Sequence, residues 1–128
     1  MMNRTLIETN VILRYLLDDD EDMSLRAELI IEGGAWTTPE VLAEVTYVLE
    51  SVYKVPRADI AAALDIAANH ISLEPEQVYL DAISEYGATN LDFVDCMIVS
   101  YSKNSTSKVF SFDKGINRML KHLLDERK

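Results

Sequence analysis

Three apolar segments too short to be helices, Thr5-Leu6-Ile7, Ala35-Trp36-Thr37 and Ile71-Ser72-Leu73, recur among longer stretches whose apolar residues repeat at helical spacing. That alternation constrains the fold more than any other property of the chain. Short apolar runs without polar alternation read as strands buried on both faces, and parallel pairing of such strands requires long crossovers between them, most often helices. Val109-Phe110-Ser111-Phe112 reads as one more strand of the same kind. The expected architecture is three-layer α/β/α, a small central parallel sheet flanked by helices.

The helices between these segments carry local start and stop signals. Asn10 is placed to open a helix with Val11, Ile12, Tyr15 and Leu16 on its apolar stripe. The acidic run from Asp18 to Asp22 reads as a solvated loop or helix start, followed by a helix from Met23 to Ile31 that Gly33-Gly34 closes. Thr38 followed by Pro39 marks a third start, with proline at the first helical position, and this helix is expected to run to about Tyr53. Further helices are expected from Arg57 to about Asn69, from Pro75 to about Tyr86 with Gly87 as the stop, from Phe93 to about Lys103, and from Ile116 to Leu123. No repeat, low-complexity linker or composition break divides the 128 residues, so one domain spanning 1–128 is expected.

Charge narrows the function classes. The chain has 22 acidic residues against 12 Lys and Arg, a net charge of −10, yet is 48% hydrophobic, which excludes an acidic disordered segment. On average such a surface repels phosphate backbones and anionic lipid. The apolar stretch Leu6 to Leu17 is broken by Glu8, Asn10 and Arg14, so it fits neither a membrane span nor a signal peptide. Cys96, the single cysteine, has no partner for an internal disulfide, and a reducing, cytoplasmic setting is expected. The charge is also polarised: 11 acids and 3 bases precede Ser51, whereas Lys103 to Lys128 holds 7 bases and 3 acids.

Most acids fit solvated helix faces, but four do not. Glu8 ends the first strand, Glu44 lies within an apolar helix, Asp95 opens the helix that contains Cys96-Met97-Ile98-Val99, and Asp113 ends the last strand. The carboxyl ends of parallel strands face the crevice where ligands bind, so carboxylates there converge on one rim. Crowded carboxylates either take up protons or share a cation. Mg²⁺ or Mn²⁺ suits such an oxygen set and, with substrate phosphates, supports phosphodiester hydrolysis. Helix capping and ordinary ion pairing are the competing explanations for the same residues.

The segment Leu6-Ile7-Glu8-Thr9-Asn10-Val11-Ile12-Leu13-Arg14-Tyr15-Leu16-Leu17, together with Pro39-Glu40-Val41-Leu42-Ala43-Glu44-Val45, Asp92-Phe93-Val94-Asp95 and Ser111-Phe112-Asp113-Lys114, resembles the PIN-domain family, specifically its VapC-type toxin ribonucleases. The likeness runs through essentially the whole chain. It implies an α/β/α fold, an Mg²⁺- or Mn²⁺-dependent endoribonuclease acting on RNA, a homodimer, and inhibition by a cognate antitoxin. By this resemblance Glu8, Glu44, Asp95 and Asp113 are the acidic quartet, with Glu8, Asp95 and Asp113 as metal ligands and Glu44 orienting or deprotonating water. Asp92, Asn10 and Ser111 match accessory positions, and Ser111 keeps the hydroxyl of the family's threonine.

Glu8 departs from the pattern, which has aspartate there. The arm is longer by one methylene, and Mg²⁺ tolerates little error in ligand distance. Two outcomes therefore stand side by side, an active ribonuclease and a weakened or inactive PIN-like binding module. Lys114 and Arg118 either guide phosphates toward the acids or serve a helix end. A phospho-acceptor receiver domain is disfavoured, since Val41 to Asn69 reads as two helices where that fold needs a central strand with a terminal aspartate. Cys96 reads as a small buried hydrophobe, and Trp36, Tyr47, Tyr53, Tyr79 and Tyr86 as core or interface aromatics.

Overall fold

The computed structural model describes residues 4–126, so Arg127 and Lys128 of the basic tail lie outside the described residues. The strands β1 (Thr5–Leu6), β2 (Ala35–Trp36) and β3 (Ile71–Ser72) form a parallel sheet in the order β1-β2-β3. Thr5 pairs with Ala35 and Ala35 with Ile71; Leu6 pairs with Trp36 and Trp36 with Ser72. Helices α1 (Thr9–Leu17) and α2 (Glu21–Glu32) connect β1 to β2, and α3 (Pro39–Ser51) and α4 (Arg57–Ala67) connect β2 to β3. Helices α5 (Glu76–Ala88), α6 (Phe93–Asn104) and α7 (Lys114–Glu126) follow. The result is the three-layer α/β/α arrangement with a small parallel sheet.

Local chemistry explains most boundaries. The Thr38 hydroxyl accepts from Val41 N at 3.3 Å with Pro39 in the first turn, as a helix start of this type requires. Asp20 caps α2 by accepting from Met23 N at 3.0 Å, so the acidic run is part loop and part helix start. Asp18 adopts a left-handed conformation (φ 51°) at the end of α1. Arg14 reaches back to Asp19 at 2.6 Å.

Three expectations fail for physical reasons. Glu8, not Asn10, caps α1, its Oε1 accepting from Val11 N at 3.1 Å, and Asn10 is the helix's second residue. Val109 to Phe112 forms no strand: it is an irregular connection with Phe110 and Phe112 in solvent. Gly87 does not stop α5, which continues to Ala88. A Cβ at Gly87 would stand 2.7 Å from the Ala61 Cβ of α4, so glycine is there to let two helices approach.

The main core lies between the sheet and α1, α3, α4, α5 and α6, around Ile12, Val45, Ile60, Ile83 and Tyr86. A smaller cluster of Val99, Ile116 and Leu123 holds α7 against α6. Within the main core one polar knot joins three helices. Arg57 donates through Nη1 to Glu50 (3.0 Å), through Nε to the Tyr86 carbonyl (3.0 Å) and through Nη2 to the Leu91 carbonyl, and its guanidinium lies 3.7 Å from the Tyr86 ring centroid. The Tyr86 hydroxyl donates to the same Glu50 oxygen at 2.7 Å. Among the described residues every buried side-chain nitrogen and oxygen has a partner.

Candidate functional site

Asp95 lies in the first turn of α6 and is half-buried. Loss of water, followed by the negative charges of Asp113 and Asp92, raises its carboxyl above the ordinary value of 3.8. Three of the acids singled out in the sequence therefore sense one another. Asp92 holds the cap position of α6, but its side chain makes no capping hydrogen bond, which leaves the carboxylate free to turn toward the site.

Asp113 is fixed from the other side. Its Oδ2 accepts from Ile116 N at 2.8 Å, and its carbonyl accepts from Asn117 N at 3.0 Å, so it caps α7. The Ser111 hydroxyl accepts from Asp113 N at 2.9 Å, and Asn117 Nδ2 donates to the Ser111 carbonyl at 2.9 Å. Ser111 thus shapes the backbone that presents Asp113. Gly115 completes the arrangement: a Cβ there would fall 2.6 Å from Leu91 Cδ2 and 3.1 Å from Asp113 Oδ2. Leu91, whose carbonyl Arg57 holds, is in turn the residue before Asp92. The polar knot of the core and the acidic cluster share it.

Glu8 and Glu44 lie elsewhere in the charge pattern. Both are exposed, Glu8 capping α1 and Glu44 on α3, and neither is among the groups that shift Asp95. Among the described residues no three His, Cys, Asp or Glu side chains stand close enough to hold an ion together. A magnesium ion needs only one or two carboxylates with waters completing its shell. The donor chemistry at Asp95 and Asp113, hard oxygens with a desolvated member under like charge, fits such an ion.

Lys114 and Arg118 are exposed on α7, one turn apart, immediately behind Asp113. Asn10 lies with Glu8 and Arg14 on one wall of a cavity of about 460 Å³, whose other wall is Met23, Leu29 and Ile30 of α2. Cys96 is buried, its thiol pushed up to about 11 by burial, which removes it as a nucleophile. Tyr79 and Tyr86 are core residues, whereas Tyr47, Tyr53 and Trp36 are exposed. Sequence reading missed Arg57, Leu91 and Gly115 as supports of the acids. The one available signal was glycine two residues after Asp113, directly before the expected helix start at Ile116.

Residues 5–121 match the family model of the PIN domain, and the chain belongs to that family. Comparison with curated proteins and with solved structures returned no significant match. PIN domains are generally metal-dependent nucleases, and PIN nucleases bind RNA. Phosphodiester hydrolysis is therefore the class of reaction this fold carries. Among the described residues no helix is long and apolar enough to cross a membrane.

Proposed function

We propose that this chain is a single-domain VapC-type endoribonuclease, cytoplasmic and dimeric, that hydrolyses RNA with Mg²⁺ or Mn²⁺ and is neutralised by a cognate antitoxin. The observation that carries the reading is the half-buried Asp95 carboxyl, raised by burial and by the charges of Asp113 and Asp92. Such a cluster costs stability unless a cation or a proton relieves it. Asp95 and Asp113 are the residues that would hold the ion. When bound, the ion supplies neutralisation of phosphoryl charge and a more acidic water.

The chain's own residues have separable roles. Asp113 keeps its direction because α7 and Ser111 hold its backbone and one carboxylate oxygen. Asp92, free of capping duty, would be available to accept hydrogen bonds from water at the site. Lys114 and Arg118 draw phosphates toward the acids. By the family resemblance Glu44 would orient the attacking water and Glu8, through the oxygen not engaged in capping α1, would complete the acidic quartet. The apolar groove between α1 and α2, with Met23, Leu29 and Ile30 in solvent, supports a protein partner.

The second reading, a weakened binding module, is favoured by one detail: an oxygen of Glu8 is already engaged in capping α1. Cleavage of total cellular RNA at matched Mg²⁺ and Mn²⁺ separates the two readings, comparing the parent, Glu8→Asp and Asp95→Ala. Cleavage by the parent that Asp95→Ala abolishes supports the nuclease, and cleavage gained only in Glu8→Asp supports the weakened module. Equal cleavage by parent and Asp95→Ala removes the acidic site from the reaction.

A further inference from the structure

Phe110 and Phe112 invert the usual placement of apolar side chains. Along the connection from α6 to α7, Val109 and Ser111 are partly buried, while Phe110 and Phe112 are 82% and 92% exposed. The two largest apolar groups of the segment stand in water and the smaller ones turn inward, opposite to what burial favours. The backbone beneath them is tied down. Asn117 holds the Ser111 carbonyl, and the Ser111 hydroxyl holds Asp113 N. The rings meet edge to face, with centroids 5.0 Å apart and planes at 84°.

Their neighbours define what such a surface would take. Asp113, whose charge acts on Asp95, follows Phe112 directly, and the exposed cations Lys108, Lys114 and Arg118 flank the pair in sequence. Aromatic faces between cations bind single-stranded nucleic acid, the bases stacking on the rings and the phosphates meeting the charges. In a duplex the base faces are already stacked and withheld. We propose that Phe110 and Phe112 form a stacking platform for unpaired bases beside the scissile phosphate, selecting single-stranded or looped RNA. This inference rests on the nuclease reading and names the substrate form that reading leaves open.

The test is fluorescence anisotropy of the full chain in Ca²⁺. The probes are a labelled unstructured single-stranded RNA, the same strand as a blunt duplex, and a ribose-phosphate strand lacking bases. The parent is expected to prefer the base-bearing single strand. Phe110→Ala and Phe112→Ala are each expected to weaken that binding by roughly fivefold or more, leave the baseless strand unchanged, and be matched by a retained affinity in Phe112→Trp. Equal affinity of parent and alanine variants overturns the platform, as does parent binding that ignores the bases. A changed molar mass in light scattering with unchanged RNA affinity assigns the rings to a protein contact and also overturns it. Hydrolysis of bis(p-nitrophenyl) phosphate in Mn²⁺ is read in parallel. If that activity is present without RNA discrimination, the platform alone fails; if hydrolysis and RNA binding are both absent, the nuclease reading fails and takes the platform with it.

Discussion

Two polar clusters meet at Leu91 and put similar residues to opposite use. On one side Glu50, Arg57 and Tyr86 pair acid with base and hydroxyl, and the Tyr86 hydrogen bond, with Arg57 beside it, holds the Glu50 carboxyl below its ordinary value of 4.5. On the other, Asp92, Asp95 and Asp113 set like charges together and raise Asp95. The first cluster is satisfied by the protein itself and serves folding. The second has no cation among the groups acting on Asp95, and under the proposed function a bound metal ion would supply the opposing charge. A carboxylate in a sequence says little about which of these it joins, since the answer lies in what the fold sets opposite it.

Removing one member from each cluster is the sharpest break in this comparison. Asp95→Asn is expected to cut RNA cleavage on the order of a hundredfold or more, at or beyond the upper end for outer-shell residues of metal sites. The same substitution is expected to leave the urea midpoint level or slightly higher, because it deletes repulsion. Arg57→Met is expected to do the reverse, lowering stability by about 2–3 kcal/mol through lost charge-assisted hydrogen bonds, with Tyr86→Phe costing about 1 kcal/mol. A large loss of stability in Asp95→Asn would show that the acids also hold the fold.

The two close-packed glycines extend the contrast. Gly87→Ala drives a Cβ against the short, unyielding Ala61 side chain, and a net loss of roughly 1–2 kcal/mol is expected even after the gain in helix propensity. Gly115→Ala meets the movable end of Leu91 and the Asp113 carboxylate. There the expected stability change is below about 1 kcal/mol, while cleavage falls severalfold as Asp113 shifts. Chemical denaturation and initial rates on the same preparations separate the two effects.

Acid titration of stability in EDTA gives the smallest and most direct signature. The depressed Glu50 carboxyl contributes stability that is present above pH 4.5 and is lost as pH falls through its lowered folded value. Asp95 has the opposite sign: the native form holds its proton more tightly, so its cost is absent below pH 3.8 and complete once pH has risen through the raised value. Glu50→Gln is therefore expected to lose most at neutral pH and little in acid. Asp95→Asn is expected to gain stability at neutral pH and nothing in acid. Parallel shifts at all pH values would remove the electrostatic account of both.

The fold was readable where its causes are local. Thr38 with Pro39 starts α3 through a hydroxyl and a fixed φ, and the spacing of apolar residues marks the helices around them. Where a cause is tertiary the reading went astray. Gly87 looks like a stop unless Ala61 is known to lie against it, and Val109 to Phe112 carries strand-like residues whose orientation only the surrounding structure decides. The site divides in the same way. Asp95 and Asp113 were visible as acids beside apolar segments, and Asp92 through the family resemblance alone. Arg57 and Leu91 were not, since their link joins residues 34 apart and runs through a backbone carbonyl that any residue type would supply.

The sheet holds only two residues in each strand, and most of the packing is between helices adjacent in the chain: α1 with α2, α4 with α5, α5 with α6, and α6 with α7. Contacts of short sequence separation require little loop closure before they become favourable. This chain is therefore expected to assemble as a succession of neighbouring helical hairpins, stapled late by two brief strand pairings. Its folding rate belongs nearer to that of helical bundles than to that of proteins organised around long parallel strands.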